Sequence, residues 1–258
     1  MNDIIGAVIV FAGWIFSICL HEFGHAVVAY WGGDATVKDK GYLTFNPLRY
    51  TDPGLSIVIP IVFLLLGGVA LPGAAVYINQ GLLRNNFWRS LVSLAGPVMS
   101  LLAAFLFSLP TMLMRNQLAA SSTEPSIFLL TLMSSCVSLT LLNVIAFMLN
   151  ILPVPGLDGY GVVEPWLPAF IRRPLSQLSG AGMFLLFAVL WMNPTANGFF
   201  WETGMSASAA ILHMPPSTIS SCFNHFLGQK TVLVVVAVVG LVLMNLFKGK
   251  KQGASGSP

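Results

Sequence analysis

The chain has 258 residues, of which 56% are hydrophobic and 8% charged, with a mean hydropathy of +0.82. Soluble domains carry about 25% charged residues, so 12 Lys and Arg with nine Asp and Glu cannot coat a water-facing surface of this length; a soluble fold and a disordered chain are both excluded. The net charge of +3 comes from basic residues in short loops rather than a patch, which makes nucleic acid an unexpected partner and leaves an integral membrane protein in contact with the lipid bilayer.

The first apolar run covers residues 4–30. It follows Asp3 instead of a basic segment and has no small-residue cleavage site, so it reads as a span and not as a signal peptide. A polar stretch over 32–53 follows, in which Gly41–Asn46 reads as a short strand. The apolar run 55–75 is broken by Pro60, Gly67, Gly68, Pro72 and Gly73, which suits a re-entrant segment. Ala74–Asn79 reads as a second short strand. Runs 91–114 and 127–149 are full spans; 175–192 and 231–247 are shorter but sufficient. A Ser/Pro-containing polar connection covers 193–229, and the basic, then Gly/Ser-rich tail 248–258 reads as disordered. Cys19, Cys136 and Cys222 are scattered, without metal or disulfide spacing, and read as small apolar packers. The expected fold is an all-α polytopic membrane protein with about five full crossings, one re-entrant segment and short membrane-associated β-strands. A single membrane-embedded domain over 1–258 is expected, with its core at about 4–165.

The distribution of Lys and Arg separates two topologies. If 55–75 crosses fully, the side of the N-terminus collects Arg84, Arg89, Arg172, Arg173, Lys248, Lys250 and Lys251 against Lys38, Lys40, Arg49, Arg115 and Lys230, and neither face is distinctly basic. If it dips in and returns, every Lys and Arg except Arg115 and Lys230 falls on one face. The second arrangement places the N-terminus outside and the C-terminus in the cytoplasm, in the cell (inner or plasma) membrane.

The first span contains His21-Glu22-Phe23-Gly24-His25. Residues i and i+4 share a helix face, so both imidazoles can reach one metal, and zinc suits such ligands. Glu22 lies within reach of water activated by that metal and is the expected general base. Two buried histidines bonded to neighbouring helices would give the same pattern. A carboxylate in an apolar span, however, costs about 2.5–3.5 kcal/mol even on a lenient insertion scale, and a divalent cation compensates it.

A catalytic zinc usually takes three protein ligands. His213 and His225 fall in the outer connection, and Glu164 has no motif around it. Asp158 follows the third full span in Asn150-Ile151-Leu152-Pro153-Val154-Pro155-Gly156-Leu157-Asp158-Gly159, where the prolines and Gly156 break the helix. A membrane-exit turn would look similar. In the re-entrant topology the first and third full spans run in the same direction, and Asp158 emerges at the inner end, level with His21 and His25. In the alternative it emerges on the opposite face. Charge distribution and ligand geometry thus select the same arrangement.

These residues resemble the site-2 protease family of intramembrane zinc metalloproteases. The resemblance rests on the HExxH of the first span and on an Asn-x2-Pro-x4-Asp-Gly motif at Asn150, Pro153, Asp158 and Gly159. Between them Ala95-Gly96-Pro97-Val98-Met99-Ser100 is similar to the family's Gly-x3-Asn/Ser/Gly element, and Leu43–Pro53 to the loop after the histidine helix. Together they cover about residues 10–160. The resemblance implies one zinc per chain held by His21, His25 and Asp158, with Glu22 as catalytic base. Asn150 would help hold the substrate backbone or polarise the scissile carbonyl, and Pro153, Gly96 and Ser100 would belong to the cleft or its helix packing. The segment containing Tyr77 and Asn79, like Gly41–Asn46, could receive an unwound substrate by strand addition. The implied substrate is a transmembrane segment of another protein; an upstream protease or regulator is a further partner the resemblance leaves open. Neither the PDZ nor the CBS domain of some members is visible in the chain.

Two other functions fit the same residues: a transporter that moves metal or protons through the His/Glu/Asp cluster, and an inactive membrane scaffold. The absence of an inverted repeat argues against the first, and the intact ligand set and base against the second.

Overall fold

The computed structural model describes residues 2–46, 49, 76–120 and 125–228. Among them are nine α-helices and no strand. Three are long and apolar enough to cross a bilayer: α1 (Asn2–Gly32), α3 (Asn86–Ala120) and α4 (Ile127–Asn150). The short α2 (Thr36–Asp39) follows α1, and α5 (Asp158–Val163) follows the break after α4. The chain continues through α6 (Ala169–Gln177), α7 (Ser179–Met192), α8 (Pro194–Leu212) and α9 (Pro216–Gly228).

The three spans pack against one another, α1 on α3 and α4, and α3 on α4. Lipid tails are as apolar as leucine, so close backbone approach and hydrogen bonds hold such helices together. The sequence supplies both. Ala7, Ala26, Ala29, Ala103 and Ala104 are fully buried. At Gly24 a Cβ would lie 3.0 Å from the Ala95 carbonyl oxygen of α3. Asn143 Nδ2 donates to Ser17 Oγ at 2.9 Å, joining α4 to α1. Large apolar side chains that remain exposed, including Val8, Phe16, Leu102, Leu106 and Phe128, occupy the outer faces of the spans.

The three spans coincide with those read from hydropathy. The fourth does not form as one rod: residues 175–192 divide at Leu178, where α6 and α7 meet at 74°. With 14 residues, α7 is about 21 Å long, short of a hydrocarbon core of about 30 Å. Five full crossings are therefore not supported. The stretch after Asn193 is not an irregular polar connection either. It forms α8 and α9, whose Phe200, Leu212, Ile219, Phe223 and Phe226 enter one core with Val10, Leu139 and Leu149.

The short β-strands are also not supported. Gly41–Asn46 is turn and bend, because its donors are used locally: Gly41 N–H to the Lys38 carbonyl, Tyr42 N–H to the Val37 carbonyl and the Thr44 hydroxyl to the Gly41 carbonyl. Val76–Asn79 has no strand partner among the described residues. The re-entrant segment 55–75, the span 231–247 and the tail 248–258 lie outside the described residues.

Candidate metal centre

His21 and His25 stand one turn apart on α1 and are 5% and 6% exposed. Each ring is anchored through Nδ1. The Nδ1 of His25 donates to the Val92 carbonyl at 2.6 Å, and the Nδ1 of His21 lies 2.9 Å from the Ser100 hydroxyl, both on α3. The two Nε2 atoms then converge, 3.1 Å apart.

Asp158 completes the group. Pro153 and Pro155 prevent α4 from continuing, and Gly156 turns the chain at a φ of +98° that side chains disfavour. Gly159 is pressed so closely on the carbonyls of Ile151 and Leu152 that a Cβ would overlap them. The chain therefore folds back tightly, and α5 begins with its Asp158 carboxylate beside α1. Asp158 Oδ2 lies 3.1 Å from His21 Nε2, and Oδ1 lies 3.4 Å from His25 Nε2.

One ligand atom from each of the three residues lies within 4.8 Å of the others. The Val92 carbonyl only accepts, so neutral His25 carries its proton on Nδ1 and turns an Nε2 lone pair toward Asp158. Nitrogen and oxygen lone pairs that converge without donors repel unless a cation or proton sits among them. No Lys or Arg among the described residues pairs with Asp158 or with the buried Glu22. Gly96 of α3 lies against the two Nε2 atoms and leaves room that a Cβ would fill, overlapping His25 Nε2 and lying 2.5 Å from His21 Nε2. Two imidazoles and a carboxylate in such a cradle fit a divalent metal of zinc's ligand preference.

Glu22 is 3% exposed, and its Oε2 accepts the Val76 N–H at 3.0 Å. With His21, His25 and Asp158 it lines a cavity of about 310 Å³. Val76, Ile78 and Gln80 form one part of the wall, and Met183, Leu186 and Phe187 of α7 another.

Of the residues expected in the cleft, Asn150 lines this cavity and donates through Nδ2 to the Ala146 carbonyl at 3.1 Å. Gly96 lies against the Nε2 atoms of the two imidazoles, and Ser100 bonds to His21. Pro153 is exposed at the helix break, and Tyr77 and Asn79 are exposed beside the lining residues Val76 and Ile78. His225 stands with Gly6 and Val10 at the opposite end of α1, and His213 caps α8; neither joins the metal group. Sequence reasoning missed the Val92 carbonyl and the Asp34 carboxylate, whose Oδ2 accepts the Asn79 N–H. A backbone carbonyl leaves no sequence signal, and Asp34 stands in a stretch that reads only as polar loop.

Comparison with known proteins adds a second line of evidence. "Putative zinc metalloprotease Rip2" of Mycobacterium tuberculosis is 42% identical over 194 residues, which cover 75% of this chain and 70% of that protein. The chain belongs to the site-2 protease family. Family relatives include the protein of the same name from Mycolicibacterium smegmatis, 42% identical over 76% of this chain and 71% of that protein. "Putative zinc metalloprotease YwhC" of Bacillus subtilis is 34% identical over 78% of this chain and 87% of its own length. No protein-family model matches the chain, and no solved structure matches it significantly.

Proposed function

We propose that the protein is an intramembrane zinc metalloendopeptidase that hydrolyses a peptide bond within or near a transmembrane segment of another membrane protein. The observation that carries this reading is the convergence of His21, His25 and Asp158, with Glu22 opening on the same cavity. The relatives' names supply zinc as the metal. Held by those three side chains, zinc supplies Lewis-acid polarisation of a carbonyl and acidifies water.

The chain's own residues do the rest. Glu22 takes the proton of the attacking water and returns it to the departing amine nitrogen. Val92 and Ser100 fix the two imidazoles, the task that outer partners of metal ligands usually perform. Asn150, on the cavity wall, bonds to the substrate backbone. A helical substrate hides its carbonyls, so it must unwind locally before it lies against Val76–Gln80. The charge distribution of the loops supports an N-terminus outside, a cytoplasmic C-terminus and water entry from the cytoplasmic face, in the cell membrane. The whole chain then acts as one membrane-embedded protease domain.

Glu22→Gln tests the role of the base. The expected outcome is unchanged zinc content, with cleavage of a transmembrane peptide reduced about 10²–10⁴-fold, the usual contribution of general acid–base catalysis. Wild-type cleavage in this variant overturns the mechanism. Altered metal flux across vesicles, with no cleavage by the wild type, replaces it with transport.

A further inference from the structure

Val76–Asn79 belongs to no sheet among the described residues, yet three of its backbone groups are tied to side chains. The Val76 N–H donates to Glu22 Oε2 at 3.0 Å, and the Asn79 N–H to Asp34 Oδ2 at 2.7 Å. The Tyr77 carbonyl accepts from Lys40 Nζ at 2.7 Å. Residues 77 and 79 thus bond toward the two ends of α2, and residue 76 bonds toward α1. The side chains alternate as well: Val76 and Ile78 line the cavity, whereas Tyr77 is 75% exposed. Both patterns are those of an extended chain laid along the edge of the site.

Asp34 is the firmer of the two outer ties. Its residue has no exposed surface, and its two oxygens serve different elements. Oδ1 accepts from the Thr36 N–H at 3.0 Å and the Thr36 hydroxyl at 2.6 Å, at the first residue of α2. Oδ2 reaches across 45 residues of sequence to Asn79. The bonds of Oδ1 hold the carboxylate in place, and they do not need Oδ2. A buried carboxylate is costly unless fully bonded, and here the second oxygen's bond fixes a segment that no sheet holds. Three residues of extended chain, about 10 Å, separate Asn79 from Val76, so a slip at Asn79 carries Val76 and Ile78 along the wall beside Glu22.

We propose that Asp34 is a positioning residue for the substrate: through Asn79 it sets the register of the Val76–Gln80 wall, and so places the scissile segment against Glu22. This rests on the protease reading given above.

The test uses the full-length, zinc-loaded protein in detergent, with three readouts: zinc per chain, amide exchange over 76–79, and KM and kcat for a synthetic transmembrane peptide. Asp34→Asn keeps an acceptor for Thr36 but sets an NH2 against the Asn79 N–H. Expected are unchanged zinc, faster exchange at Asn79, and a KM raised about tenfold or more, the size of one lost hydrogen bond to a charged group, with kcat lowered as well because a displaced wall holds the scissile bond away from Glu22. Thr36→Val, which touches only the Oδ1 side, should leave KM unchanged. Lys40→Met, at an exposed site that leaves folding intact, should raise KM by a smaller factor. An unchanged KM in both Asp34→Asn and Lys40→Met overturns the proposal, as does an equal rise in Thr36→Val, which would make Asp34 a fold residue. Should Asp34→Asn fail to fold, an unchanged KM in Lys40→Met decides against the proposal, and a rise confined to that variant and absent from Thr36→Val supports it. A wild type that holds zinc but cleaves no peptide defeats the protease reading, and the substrate role of Asp34 falls with it.

Discussion

Gly96 shows how little room a single residue controls at this centre. It has no motif of its own beyond standing four residues before Ser100, and its value lies in the absence of a side chain. A Cβ there would overlap His25 Nε2 and press on His21 Nε2, the two atoms that face Asp158. Gly96→Ala should therefore weaken zinc binding by at least about 10–100-fold, the range seen when groups supporting metal ligands are lost. Metal competition titration in detergent measures this, and tight zinc binding by the variant would show that the imidazoles point elsewhere. The meeting of His21 and His25 was legible because one helical turn places two ring nitrogens on one face. Ser100, Val92 and Asp34 were not legible in those roles. Each acts through a contact across 45 to 79 residues of sequence that no local pattern encodes.

Helix contacts set the next scale. Long unbroken apolar runs specify α1, α3 and α4, and hydropathy located all three. The same measure misread α8 and α9, where Ser, Asn, Thr and Pro dilute the average although Phe200, Leu212, Ile219 and Phe223 are buried. It also joined α6 to α7, because a running average registers no bend at Leu178. The strand expectation finds no support among the described residues for a related reason: alternating residues permit a strand, but pairing needs a partner. Packing at this scale predicts opposite signs for two glycines. Gly24→Ala places a methyl 2.6 Å from Met99 Cγ and 3.0 Å from the Ala95 carbonyl oxygen. It should destabilise the α1–α3 crossing by about 1–3 kcal/mol, as overpacking does. Gly198, within α8, has nothing within 4 Å of an added Cβ. Gly198→Ala should be neutral or stabilising by about 0.5–1 kcal/mol. Unfolding midpoints in a common detergent compare the two, and a stabilised Gly24→Ala would mean that these helices do not meet as described.

At the scale of the whole molecule, the chain must bring residue 158 back to residues 21 and 25. The sequence shows why it can: two prolines and a glycine end α4 and turn the chain within a few residues, so the aspartate returns to the side of α1 on which α4 ends. The reading of Lys and Arg in which 55–75 dips in and returns expects the same juxtaposition; in the structure Asp158 lies 3.1 and 3.4 Å from the two imidazoles. The number of crossings was less legible, since 55–75 and 231–247 lie outside the described residues and 175–192 is bent. The central claim is that His21 and His25 form one metal site with Asp158, more than 130 residues further along the chain. Zinc per chain in detergent-purified protein, wild type beside Asp158→Ala, tests it most directly. The account predicts about one zinc per wild-type chain, as a single three-ligand site requires, and a sharp loss in the variant. Equal zinc in both would contradict it, leaving a histidine site to which Asp158 contributes nothing.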